Sequence, residues 1–130
     1  MAGARRRIDV GEGQAALAAW VATQDAIQGS DGNAAPPSRS VIATAVRYSL
    51  EEVTARAPGN SVEVRVPPFG VTQCVEGPRH TRGTPPNVIE CDADTWLGLV
   101  TGRLAWAEAL DGGRVAASGL RADLSGILPL

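Results

Sequence analysis

Between Ile42 and Val66 the spacing of apolar residues switches from one secondary-structure period to the other. Ile42, Ala45, Val46, Ser49, Leu50 and Val53 recur at steps of three and four, which stacks them on one stripe of a helix. The breaker stretch from Ala57 to Asn60 follows, with a proline and a glycine at its centre. Val62, Val64 and Val66 then alternate with Ser61, Glu63 and Arg65, which gives a strand one dry face and one wet face. A chain that makes both patterns so close together has to bury a helix stripe against a sheet face.

The rest of the chain fits around that switch. An Ala-rich stretch without breakers runs from Gln14 to Gln28, and Gly29 stops it, predicting a first helix between Gly11 and Gly29. Gly29 to Ser38 is a loop by composition. Pro67-Pro68 interrupts the first strand, because neither residue can donate to a ladder, and Phe69, Val71, Gln73 and Val75 resume the alternation. Glu76 to Pro86 is too long for a hairpin loop, which usually takes about two to five residues. Val88 to Cys91 predicts a third strand.

Asp92 or Asp94 caps the next helix, on which Trp96, Leu99, Val100 and Leu104 share a side and Gly102 breaks the run. Trp106, Ala109 and Leu110 predict a short helix before Gly112-Gly113, and Arg114 to Ser118 a strand. Leu120, Leu124, Ile127 and Leu128 predict a last helical turn or two before Pro129. Helices, then strands, then helices describe an α+β fold in which helices cover one face of a mainly antiparallel sheet. The expected organisation is one domain over 1–130, with two N-terminal helices in 1–58 and the sheet with its covering helices in 61–130.

Composition narrows the function. The net charge is −2, so no field attracts a phosphate backbone and nucleic acid is not expected as a partner. No apolar run approaches the roughly 20 residues of a membrane span. "MAGARRRIDV" carries positive charge with no hydrophobic segment behind it, unlike a secretory signal. Two cysteines, Cys74 and Cys91, are too few for a disulfide scaffold, and free thiols in a cytoplasmic protein are expected.

Nothing in the sequence assembles a catalytic centre. His80 is the single histidine, and in "GPRHTRG" it is either an anion-binding or general-base residue or an ordinary solvated one. No Ser or Cys nucleophile stands near a base. Glu90, Cys91, Asp92 and His80 match no metal-ligand spacing, and no strand–GxGxxG–helix order supports a nucleotide loop. Catalytic residues, metals and cofactors are therefore not expected. Trp20, Trp96 and Trp106 stand out where only 4 % of residues are aromatic, either as core packing or as walls of an apolar cavity.

The stretch "EALDGGRVAASG" resembles the signature of the sterol carrier protein-2 superfamily, with Ala109-Leu110, Gly113-Arg114-Val115, Ala117 and Gly119 in the matching places. "DTWLGLVTGRL" (Asp94 to Leu104) is similar to the helix that precedes it there, and the likeness extends from Val62 onward. Leu110 stands where the family usually has an aromatic residue, and Ala116 and Ala117 replace bulkier strand residues.

The resemblance implies a non-enzymatic carrier that holds a sterol, fatty acid or acyl thioester in an apolar tunnel between sheet and helices. Its lining would come from Val64, Val66 and Val71 of the strands and from Trp96, Leu97, Val100 and Leu104 of the following helix. Trp106, Ala109 and Leu110 would add to it, with Val115, Ala117, Leu124 and Leu128 beyond. The other implied reading is an accessory protein working beside a thiol-cofactor-dependent isomerase. It would contact an anionic cofactor or a protein partner through Arg79, His80 and Arg82 of the loop 77–86. Gly119, where the last strand turns, is expected to take a backbone conformation costly for other residues.

Overall fold

The computed structural model describes residues 6–29, 35–78 and 87–130. Along the chain these form helices α1 (Val10–Gln28) and α2 (Arg39–Arg56) and strands β1 (Val62–Val66), β2 (Gly70–Cys74) and β3 (Asn87–Glu90). Helices α3 (Ala93–Thr101) and α4 (Trp106–Asp111) and strand β4 (Ala116–Ser118) complete them. Three helices begin at side-chain caps, because the first amide groups of a helix have no partner inside it. Asp9 accepts from the Glu12 amide, Ser38 from Val41 and Asp92 from Thr95.

The four strands form one mixed sheet in the order β2-β1-β3-β4. β1 pairs antiparallel with β2 and parallel with β3, and β3 pairs antiparallel with β4. Two of three pairings match the antiparallel expectation; the parallel one explains the long segment after β2. β3 lies on the far side of β1 from β2, so the chain must cross the end of β1, which a hairpin turn cannot do. Asn87, at the landing point, is buried and donates to the Ser61 carbonyl at 2.7 Å while accepting the Arg121 amide at 2.8 Å. One side chain thus ties the starts of β1 and β3 to the C-terminal segment.

Register decides which residues face inward. Val62, Val64 and Val66 share their face with Asn87 and Ile89 of β3, and this face packs into the core with α2 and α3. Glu63, Arg65 and Glu90 lie on the opposite face, where Arg65 pairs with Glu63 at 2.6 Å. α1 packs chiefly on α2, as a third layer. Gly13 permits the approach: a Cβ there would stand 2.1 Å from Tyr48 Cγ. Trp20 of α1 also reaches α3, its Nε1–H donating to Asp94 at 3.4 Å.

Candidate functional site

The sequence pattern that ends the α3–α4 region has a specific local geometry. In α4 the Arg114 amide donates to the Ala109 carbonyl at 2.9 Å and the Gly113 amide to Leu110 at 3.1 Å. That pair of bonds is a Schellman closure, which requires a left-handed residue at its penultimate place; Gly113 supplies it with φ +72°. Gly119, with φ +100°, takes the kind of backbone conformation expected of it, one that is costly for residues with a side chain. The glycines of this stretch set the direction of the chain and bring no reactive group.

Between α3, α4 and the C-terminal segment lies a half-open groove of about 350 Å³. Its walls are Leu99, Gly102, Leu104, Ala105, Trp106, Ala107, Ser125, Leu128 and Pro129. The tail closes it because the Leu130 amide donates to the Val100 carbonyl at 3.0 Å, and the Ile127 and Leu128 amides both donate to Leu124, each at 3.0 Å. This single turn is what the expected terminal helical turns amount to. Among the described residues, Ser125 brings the one hydroxyl to the wall, and no ionisable residue lines it. Asp123 stands just before this turn, where the Ser125 amide and hydroxyl hold its carboxyl below the usual range.

The fourteen residues expected to line a tunnel divide into three groups. Val64, Val66, Trp96, Leu97, Ala109 and Leu124 have no exposed surface, and Val100 and Val115 are nearly as buried. All eight belong to the packed core cluster, and none of them lines this groove. Leu104, Trp106 and Leu128 are half-buried and converge on the groove. Val71, Leu110 and Ala117 are exposed and lie outside this groove, which corrects their grouping with its wall.

Each correction has a geometric reason. Val71 is 59 % exposed because it pairs with Arg65, whose side of the sheet the helices do not cover. Leu110 is 37 % exposed because six-residue α4 turns Ala109 inward, and its neighbour points about 100° away. Ala117 pairs with Ile89 but belongs to the edge strand β4, which packs chiefly on β3. Leu99, Gly102, Ala105, Ala107, Ser125 and Pro129 were not expected in the wall. The first lies on the predicted helix side with Trp96, but a tail folded back over Gly102 leaves no local signal.

The remaining candidates have other roles or lie elsewhere. Asp92 is spent on the α3 cap and Cys91 is buried beside it. Burial pushes the Cys74 thiol up to about 11, and burial with the neighbouring Asp92 charge pushes Cys91 up to about 12. Both are free and, at neutral pH, protonated and unreactive. Arg79, His80 and Arg82 lie outside the described residues. Among the described residues, no helix is long and apolar enough to cross a membrane.

Residues 38–130, from the α2 cap to the last residue, match the family model described as bacterial SCP ortholog. No curated protein matches the chain.

Proposed function

Because the chain belongs to the family of bacterial SCP orthologs, we propose that it is a non-enzymatic binder of an apolar small molecule, held in the α3–α4 groove. The observation that carries this reading is the groove wall, which combines Leu99, Leu104, Trp106, Leu128 and Pro129 with no ionisable group among the described residues. Such a wall offers area to remove from water, at about 25 cal/mol per Å² before the costs of association, and nothing for acid–base or nucleophilic chemistry.

Size refines the ligand class. A volume of about 350 Å³ falls near the low end of small-molecule sites, which span about 300–1,000 Å³. An open groove of that size suits a slender chain better than a whole ring system. Among a sterol, a fatty acid and an acyl thioester, the acyl ligands fit best, with the chain in the groove and the polar end toward solvent beside Ser125.

Organic extraction of natively purified protein followed by mass spectrometry tests this reading. A single class of acyl compound enriched over a mock purification is expected. An extract no richer in apolar compounds than the mock contradicts it.

A further inference from the structure

A second groove, of about 380 Å³, lies between α2, the start of β2 and the segment before α1, and among the described residues it shares none with the first. Its apolar walls are Ile8, Leu50, Phe69 and Val71, and the charged residues Arg7, Arg47 and Glu51 line it as well. Arg7 and Ile8 precede the family-matched residues 38–130, so one wall lies outside the matched span.

The N-terminal segment is fixed there by one carboxylate. Glu51 accepts the Arg7 amide at 2.9 Å and the Ile8 amide at 3.1 Å, one on each oxygen. Its charge is therefore directed at backbone N–H groups. Arg47 is fixed by its Nε–H, which donates to the Phe69 carbonyl at 2.9 Å. Its two terminal nitrogens have no hydrogen-bond partner among the described residues. Arg39 stacks over the Phe69 ring at 5.2 Å, adding a third cation beside the groove. Among the described residues, no carboxylate forms an ion pair with Arg7, Arg39 or Arg47. In a chain of net charge −2, this is a local concentration of positive charge on an apolar floor.

We propose that this groove binds an amphiphilic oxyanion, a phosphate or carboxylate joined to an apolar body. The oxyanion meets Arg47 and Arg7, and the apolar body covers Phe69, Val71 and Ile8. A guanidinium suits this role because its planar fork can give two parallel N–H bonds to one oxyanion. The exposed Val71, 59 % accessible, supplies apolar surface beside that charge.

The test is calorimetric titration of the full chain with octyl phosphate, octanol and inorganic phosphate, below the micellar concentration. Octyl phosphate is expected to bind at least about tenfold more tightly than either half of it alone. Arg47→Gln and Arg7→Gln, with unchanged melting temperatures, are expected to remove that advantage, and Arg47→Lys to restore part of it. A second arm measures sedimentation with phosphatidylcholine vesicles with and without phosphatidic acid. Arg47-dependent binding of monomeric octyl phosphate assigns the ligand to a free amphiphile; Arg47-dependent binding only to the acidic vesicles assigns it to a lipid headgroup. Octyl phosphate and vesicle binding that are both absent, or indifferent to Arg47 and Arg7, overturn the proposal. Trp106→Ala, in the other groove, should leave the Arg47-dependent part of octyl phosphate binding unchanged, which separates this site from the one proposed above.

Discussion

The Trp96 indole Nε1–H donates to Ser49 Oγ at 2.8 Å, across the interface of α3 and α2, with both residues fully buried. The hydroxyl proton is turned back to the carbonyls of Ala45 at 2.8 Å and Val46 at 2.9 Å. The largest side chain of the sealed core is thus satisfied by a serine on the apolar stripe of α2. Ser49→Ala leaves a buried indole donor unpaired and is expected to destabilise the fold by about 1–3 kcal/mol. Trp96→Phe removes the donor but also packing area. In a denaturant-melting double-mutant cycle the two losses should not add, and strict additivity would show that the bond contributes nothing.

The two thiols give a pH dependence with a definite sign. Their folded values are raised, to about 11 for Cys74 and about 12 for Cys91, above the ordinary 9.0 expected in the unfolded chain. The folded state therefore holds its thiol protons longer. Their contribution is complete below about pH 9 and is lost as pH rises from there toward the folded values. The denaturation midpoint should fall between pH 9 and 11, and less so in Cys74→Ala/Cys91→Ala. A thiol reagent at pH 8 should modify no cysteine of the native protein and both after unfolding; rapid native modification would contradict the burial.

Gly13→Ala places a methyl where Tyr48 Cγ would be 2.1 Å away, so α1 and α2 must separate. Overpacking of this kind costs about 1–3 kcal/mol. Gly126, with no atom within 4 Å of its would-be Cβ, is the control. Thermal melting should show a loss for Gly13→Ala and little change for Gly126→Ala; equal melting points would mean the helix contact is looser than the geometry indicates.

Gly119→Val forces a β-branched residue to φ +100° and should destabilise by about 1–3 kcal/mol, read from the same melting curves. An unchanged midpoint would show that the turn can rearrange without cost.

Much of this fold was legible because local patterns and local structure agree. The period change at Ala57 to Asn60 does separate α2 from β1, and Asp92 and Gly102 do bound α3. Strand order was not legible: Val88 and Ile89 announce a strand without saying which side of β1 it joins, since that depends on a crossover. The facing of Val71 followed from the same gap, because alternation is visible in sequence but register is not. At the candidate site, helical spacing marked Leu104, Trp106 and Leu128 as apolar positions, and the family resemblance implied their place in a lining. The wall they form depends on Pro129 and Leu130 returning to α3 through the bond to Val100, a contact between segments that no spacing encodes.

The central claim is that the α3–α4 groove binds an apolar molecule by area alone. Titration with a neutral fluorescent acyl ester tests it most directly, comparing the native chain with Trp106→Ala at low salt and at about tenfold higher salt. Micromolar affinity that is indifferent to salt and falls at least about tenfold, or about 1.4 kcal/mol, in Trp106→Ala is the predicted result. Absence of binding, or binding that Trp106→Ala leaves unchanged, would contradict it.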